Sequence, residues 1–196
     1  MPATSRKSGK KSRLDILWIC DCSKSMKSKG KSGSQNTVIR EIIEELKEIP
    51  SEAPEFDINV RAISFSDEAK WVDADYIPVT DYQWNDLSPT GCSNLGAAFN
   101  KIKEQIIQEG KSTKHPIILI LISDGYPTDD WAPALEDMKD VLKNRNPVYC
   151  AIRIQDTADD AILAFAGDGE DRDLRIMDTD SIENIIQIVR SMVLAS

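Results

Sequence analysis

The feature that most constrains the fold is a set of short, continuously apolar segments separated by segments with helical periodicity. Residues 14–20 and 116–122 are two such apolar runs, and each stops abruptly at a polar turn that contains an aspartate. Strands without apolar-polar alternation are typical of a parallel sheet that is buried on both faces. The sequence therefore predicts an α/β fold with a doubly wound, mostly parallel central sheet and helices on both faces.

The remaining segments continue this alternation of strands and helices. Further strands are predicted at 56–66, 69–72, 148–154 and 174–177, and helices at 38–49, 95–106, 131–142, 158–166 and 182–192. The strands at 56–66 and 69–72 are expected to form a hairpin that gives the sheet one antiparallel edge strand. Residues 27–35, rich in Lys, Ser and Gly, are interpreted as a loop. Asp129 or Asp130 is available to cap the helix that begins at 131.

Charge divides the chain into a basic leader and an acidic body. The first 31 residues contain nine Lys or Arg and two Asp, whereas the other 165 contain 15 basic and 31 acidic residues. We predict that residues 1–13 form a disordered basic tail and residues 14–196 a single domain. Such a tail offers an alternative function, as an arm that binds nucleic acid or an acidic protein, although it lacks aromatic residues for stacking on bases.

Composition argues against several classes of protein. No segment approaches the roughly 18 apolar residues of a membrane helix, and residues 1–13 lack the apolar core of a secretory signal, so a cytoplasmic location without membrane partners is expected. The four cysteines are expected to be reduced, with an oxidisable Cys22–Cys92 pair as the alternative. His115 is the only histidine, which excludes a His-rich zinc site.

Polar residues cluster where two of the predicted strands end. Asp-Cys-Ser-Lys-Ser occupies 21–25, Ser-Asp-Gly occupies 123–125, and a third polar turn, Gly-Cys-Ser-Asn-Leu-Gly, occupies 91–96. In doubly wound sheets, ligands bind beyond the carboxyl ends of the strands. The candidate ligands all offer oxygen, which suits Mg²⁺ or Mn²⁺ better than Zn²⁺. They are Asp21, Ser23, Ser25, Ser93 and Asp124.

These three motifs, in this order, resemble the metal-ion-dependent adhesion site of von Willebrand factor type A domains. The resemblance extends from about Leu14 to the C-terminus, and residues 123–131 are similar to the intracellular bacterial branch associated with tellurite resistance, the TerY-type proteins. It implies a Rossmann-like domain, a divalent metal at the top of the sheet, and a protein partner whose acidic side chain completes the coordination. The family commonly has Gly-Thr where this chain has Cys92-Ser93, and Thr90 is a competing candidate for the hydroxyl ligand.

The resemblance also implies a metal-dependent protein interaction module in a bacterial stress-response or signalling assembly, not an enzyme. Mg²⁺ or Mn²⁺ is the expected ion, with Ca²⁺ less favoured. The candidates for partner contact are Lys24, Lys27 and Trp131, and Lys29 and Lys31 extend the same basic segment. The enzymatic alternative is a Mg²⁺-dependent phosphatase with Asp21 as nucleophile, but Ser23 stands where that reaction needs a second aspartate. The sequence makes no prediction of oligomeric state.

Overall fold

The computed structural model describes residues 11–110, 113–154, 160–167, 176–178 and 182–194. Its strands are β1 (Ser12–Asp21), β2 (Phe56–Phe65), β3 (Ala69–Trp71), β4 (Ile77–Pro78), β5 (Ile117–Ser123), β6 (Pro147–Arg153) and β7 (Ile176–Asp178). Its helices are α1 (Lys31–Leu46), α2 (Ile49–Glu52), α3 (Leu95–Glu109), α4 (Trp131–Leu142), α5 (Asp160–Ala166) and α6 (Ile182–Leu194). Two 3-10 helices cover Lys24–Gly30 and Lys143–Arg145. None of the described helices is long and apolar enough to cross a membrane.

The strands form one mixed sheet in the order β3-β2-β1-β5-β6-β7. The neighbours from β2 to β7 are parallel, whereas β3 and the short β4 both pair antiparallel with β2. The predicted fold class and the antiparallel edge hairpin are thus confirmed, and β4 is an addition. Cys20 of β1 lies opposite Ile122 of β5, so the carboxyl ends of these two central strands are adjacent.

The hydrophobic core has two halves, one on each face of the sheet. Alternate side chains of β1, such as Trp18, pack with α1 and α6, whereas Leu17 and Ile19 pack with α3, α4 and α5. Every residue of β5 is buried, which explains why its sequence shows no alternation.

The loop predicted at 27–35 is wrong, because the structure is helical there. The 3-10 helix Lys24–Gly30 leads directly into α1. Met26 is fully buried in the core, and the first turns of α1 also carry a buried polar residue, Asn36. The Asn36 side-chain oxygen accepts hydrogen bonds from the Trp84 ring nitrogen and the Leu87 amide, at 3.0 and 3.1 Å. These tertiary contacts override the low helical propensity of a Ser- and Gly-rich segment.

Several predicted boundaries also differ from the structure or fall outside the part that it describes. Strand β1 begins at Ser12, two residues before the predicted start of the domain. Residues 1–10 of the predicted tail lie outside the described residues. So do residues 158–159 of the predicted short helix and 174–175 of the last predicted strand.

A buried ionic network lies at the amino ends of β1 and β5, opposite to the ends that carry the polar turns after Asp21 and Ser123. Asp15 accepts from Arg145 Nη2 at 2.5 Å and from Arg13 Nε at 2.7 Å. His115 Nε2 lies 2.7 Å from the same carboxylate, and Arg145 also contacts Glu109 at 3.3 Å. The Arg145 side chain is only 2% exposed, so this cluster holds charge inside the protein.

We expect the single histidine to titrate below its ordinary pKa. Burial, together with the positive charges of Arg145 and Arg13, lowers the pKa of His115 below 6.5, although the Asp15 carboxylate acts in the opposite direction. Since the unfolded chain binds this proton more tightly, His115 makes the free energy of unfolding fall as the pH drops below about 6.5. An NMR titration of the one imidazole resonance measures the midpoint directly. A midpoint at or above 6.5 would contradict this assignment.

Candidate metal centre

Three chain segments converge at the carboxyl ends of β1 and β5. Backbone hydrogen bonds join the segment after β1 to the turn before α3: the Lys24 amide donates to Gly91 at 2.9 Å, and the Thr90 amide donates to Cys22 at 2.6 Å. The segment after β5 joins the same turn, because the Thr128 amide donates to the Ser93 carbonyl at 2.7 Å. The topology thus brings together the three motifs that lie far apart in sequence.

Asp21 is the centre of a buried network of hydroxyl groups. Its Oδ1 accepts from the Ser23 amide at 2.8 Å, and its Oδ2 accepts from the Ser123 and Ser93 hydroxyls at 2.7 and 3.3 Å. The Ser23 hydroxyl lies 2.9 Å from that of Ser25. The structure therefore places four of the five predicted ligands, all except Asp124, in one hydrogen-bonded cluster.

The electrostatics of the site disfavour a second buried negative charge without a cation. Burial raises the pKa of Asp21, and the negative charge of nearby Asp124 raises it further, while hydrogen bonds from Ser23 and Ser123 act in the opposite direction. The two carboxylates are thus close enough to interact. A divalent ion between them would favour the ionised form of both.

Asp124, the fifth predicted ligand, is fully buried, and its two oxygens differ in their partners. Oδ2 accepts from the Lys31 ammonium at 2.9 Å. Oδ1 is buried and makes no hydrogen bond within the part of the chain that the structure describes. A buried carboxylate oxygen without a donor is costly unless a cation or water satisfies it. The donor set therefore fits a hard divalent cation.

The turn that carries Ser93 is fixed from two sides. On the β2–β3 side, Asp67 accepts from the Cys92 amide at 2.9 Å and from the Asn94 side chain at 2.8 Å. Gly91 has a φ of +70°, and a Cβ there would lie 2.2 Å from an Asp67 carboxylate oxygen, so glycine permits this close approach. On the β5 side, the Thr128 hydroxyl accepts from the Ser93 amide at 3.1 Å.

Asp129 caps a different helix from the one predicted. Its two carboxylate oxygens accept from the Gly96 and Ala97 amides at the start of α3, at 3.0 Å each. Asp130 stands at the N-cap position of α4 without a capping side-chain bond. The prediction of Asp130 as the N-cap residue is thus confirmed, but without the expected side-chain hydrogen bond. Asp129 instead ties the segment after β5 to the helix that follows Ser93.

The geometry separates the two hydroxyl candidates in the third motif. Thr90 is exposed and is held through its backbone, whereas the Ser93 side chain is buried and donates to Asp21. Its position favours Ser93 as the ligand. Metal coordination by the five predicted residues stays a prediction.

The two cysteines beside the site are free thiols in the structure. Cys22 is buried and Cys92 is exposed. Burial raises the pKa of Cys22 to about 12, and the Asp67 carboxylate raises the pKa of Cys92. Both thiols are therefore protonated at neutral pH, which argues against the reactive pair considered from the sequence.

Sequence reasoning missed the role of Ser123 and the ion pair of Lys31. Ser123 ends β5, and its hydroxyl donates to Asp21 while it accepts from the Gly125 amide at 3.0 Å. A polar residue at the end of an otherwise apolar strand was the available signal. The loop predicted at 27–35 gives no reason to expect that Lys31, unlike its neighbours, pairs with a buried aspartate.

The candidate partner contacts differ in exposure. Lys24 and Lys27 are exposed on the 3-10 helix, in agreement with a role at the rim. Trp131, the first residue of α4, is half-buried and packs against the core. Tyr126, two residues after Asp124, is 53% exposed and is not among the contacts predicted from the sequence.

In the described residues, no group of three or more His, Cys, Asp or Glu side chains could hold a metal ion. Hydroxyl groups and water would therefore have to complete the coordination.

The sheet order, the helices on both faces and the polar cluster at the carboxyl ends of the central strands define the class of doubly wound α/β domains. A model of the von Willebrand factor type A domain matches residues 15–189, and the chain belongs to this family. The family predicted from the sequence is thus confirmed. No curated protein sequence matches the chain significantly.

Solved structures with the same fold are distant in sequence. The pilus adhesin SpaC of Lactobacillus rhamnosus GG is 12% identical with a TM-score of 0.59, over 97% of this chain and 30% of that chain. The ArnB paralog VWA2 of Sulfolobus acidocaldarius is 18% identical with a TM-score of 0.59, over 91% and 44%. Proximal thread matrix protein 1 of the mussel byssus, described with zinc in its adhesion-site motif, is 16% identical with a TM-score of 0.58, over 93% and 45%. The chain thus spans less than half the length of these three structures.

Proposed function

We propose that this chain is a protein interaction module whose partner binding depends on a divalent metal. Asp21, Ser23, Ser25, Ser93 and Asp124 would hold the ion, with Mg²⁺ or Mn²⁺ favoured over Ca²⁺. The observation that carries the proposal is the buried Asp124 Oδ1, which has no donor among the described residues, at the site where the serine hydroxyls gather around Asp21. The zinc-containing byssus relative supports a cation at this kind of site.

The residues of the site would leave the ion able to accept one more carboxylate. Bound there, the metal would supply a positive centre for an acidic side chain of the partner. The two aspartates together balance the charge of a divalent ion, and the serine ligands are neutral. A third carboxylate, from the partner, is therefore repelled less than in a site with more acidic ligands. The exposed Lys24 and Lys27 would attract an acidic partner surface and speed its encounter.

Tyr126 adds an exposed aromatic ring to the surface around the proposed metal site. Its side chain is 53% exposed on the segment that carries Asp124. Tyrosine is enriched in the energetically important centre of interfaces because it buries a large ring and keeps a hydroxyl for hydrogen bonding. A partner with an acidic side chain next to an apolar one would fit these features.

Binding without catalysis is part of the proposal. The phosphatase alternative needs a second aspartate, and Ser23 stands in its place. The Ser23 hydroxyl lies 2.9 Å from the Ser25 hydroxyl. A serine hydroxyl does not titrate in the range that a general acid and base needs. The similarity of residues 123–131 to the TerY-type branch supports a cytoplasmic role in a bacterial stress-response or signalling assembly.

We expect metal to stabilise the wild-type protein and to leave an Asp21→Ala variant unaffected. A ligand at 100 times its Kd stabilises the folded state by about 2.7 kcal/mol, which raises the Tm by several degrees. Thermal unfolding with Mg²⁺, Mn²⁺ and Ca²⁺ at millimolar concentration measures this shift. Asp130→Ala is the matched control, because Asp130 is exposed on the nearby segment and should leave the response intact. Equal responses of wild type and Asp21→Ala would place the ion elsewhere and contradict the proposal.

A further inference from the structure

We propose that Lys31 is an internal cation that competes with the divalent metal for Asp124, so that the lysine weakens metal binding and is displaced when the metal binds. This inference rests on the proposed function, since it concerns the same site. It assigns to one residue the control of how tightly the site binds its ion.

The ion pair between Lys31 and Asp124 is buried. The ammonium lies 2.9 Å from Asp124 Oδ2, and the two side chains are 12% and 0% exposed. Lys24 and Lys27, in the same basic segment, are exposed. Of these three lysines, Lys31 is the one whose charge lies inside the site and not at its rim.

The backbone directs this lysine towards the site. Gly30 has a left-handed conformation with a φ of +76°, and Lys31 follows as the first residue of α1. One turn later, Gln35 Nε2 donates to the Asp21 carbonyl at 3.2 Å, and its Oε1 is buried without a donor among the described residues. The start of α1 therefore contacts both the Asp21 and the Asp124 segments. The position of Lys31 is set by helix α1 as well as by the conformation of its own side chain.

Lysine and metal cannot share this carboxylate without cost. A divalent ion bound to Asp124 would lie within a few ångströms of the ammonium, where two positive charges repel strongly in a buried setting. Asp124 Oδ1 remains available to the ion, but Oδ2 would have to lose its present partner or keep it at an energetic cost. Removing the ammonium therefore favours the metal, while in the metal-free protein it leaves Asp124 unpaired.

The test compares Mn²⁺ binding by wild type, Lys31→Met and Lys31→Arg, with Lys70→Met, at an exposed lysine paired with Glu68, as the control for a lost lysine charge. Electron paramagnetic resonance reports free Mn²⁺, and thermal unfolding without metal reports the stability of each variant. We expect Lys31→Met to bind Mn²⁺ roughly tenfold or more tightly than wild type. Its metal-free Tm should be lower than that of wild type, and Mn²⁺ should restore it. Lys70→Met should bind Mn²⁺ within about twofold of wild type. Lys31→Arg should bind Mn²⁺ as weakly as wild type because it keeps the positive charge.

The outcomes separate this inference from the proposed function. Tighter binding by Lys31→Met than by a wild type that also binds supports both. Binding by Lys31→Met alone supports the role of Lys31 but contradicts the metal response proposed for the wild type. Equal binding by wild type and Lys31→Met would overturn the role of Lys31 and leave the metal site in place. If neither protein binds Mn²⁺, both proposals are overturned. Should Lys31→Met fail to fold without metal, tight binding by a Lys31→Gln variant is the required result, and binding no tighter than wild type overturns the inference.

Discussion

Replacing Arg145 with methionine is expected to lower the free energy of unfolding by about 3–5 kcal/mol. The guanidinium is buried and donates to Asp15, Glu109 and the His115 carbonyl at once. Methionine fills a similar volume but leaves the Asp15 carboxylate with fewer donors in a buried position. The expected loss of stability is that of a buried ion pair from which one partner is removed. It is larger than the contribution of a single surface ion pair. Chemical denaturation of the purified protein measures it.

Lys143→Met is the matched control for Arg145→Met. Lys143 is two residues away and pairs with Asp140 at 2.8 Å, but its side chain is 64% exposed. Its replacement should change stability by no more than about 0.5 kcal/mol. Adding Asp15→Asn to Arg145→Met should cost less than the sum of the two single changes, because the stranded charge is removed. Additive losses, or a loss below about 1 kcal/mol for Arg145→Met, would show that the network does not act as a unit.

Phe99→Ala is expected to destabilise the protein by about 3–5 kcal/mol. Phe99 is fully buried on α3 and stacks on Phe165 of α5, with ring centroids 5.8 Å apart and an interplanar angle of 5°. The Phe165 ring also meets Tyr149 edge-on at 5.4 Å. Truncation of Phe99 would therefore leave a cavity among aromatic rings that cannot collapse without moving two other elements.

Two variants calibrate the effect of Phe99→Ala. Ile107→Ala lies on the same helix, but Ile107 is 61% exposed, so a loss within about 0.5 kcal/mol is expected. Phe99→Leu retains most of the apolar volume and should lose clearly less than Phe99→Ala. Similar losses at Phe99 and Ile107 in unfolding experiments would contradict a packing contribution specific to Phe99, since alanine has the higher helical propensity at both positions. Since α3 follows the turn with Ser93, its anchoring also bears on the site.

The elements that sequence reasoning predicted correctly are those whose burial follows from local composition. Strand β5 is apolar up to its last residue, Ser123, because both of its faces are covered, and β1 ends where its first polar turn begins. The positions of Asp21 and Asp124 followed from strand ends alone. Parallel strands bring their carboxyl ends to one edge, so the approach of these two aspartates needed no further information. The turn with Ser93 follows no predicted strand and does not follow from this rule.

The errors arose where distant contacts decide the local structure. Residues 27–35 have loop composition, but buried Met26 and Asn36 fix them as helix. Asp129 stands next to the start of α4 in sequence, yet its carboxylate reaches the amides of α3. The pairing of Lys31 with Asp124 joins residues 93 positions apart, and no periodicity or composition signals it.

The most direct test of the central claim is the diffraction of crystals grown or soaked with Mn²⁺, with data collected where manganese scatters anomalously. The account predicts one anomalous peak bonded to oxygen atoms from the set Asp21, Ser23, Ser25, Ser93 and Asp124. It further predicts that the Lys31 ammonium no longer contacts Asp124, in contrast to its present distance of 2.9 Å. A fully occupied peak elsewhere on the protein, with the Lys31–Asp124 pair intact at saturating Mn²⁺, would contradict the account.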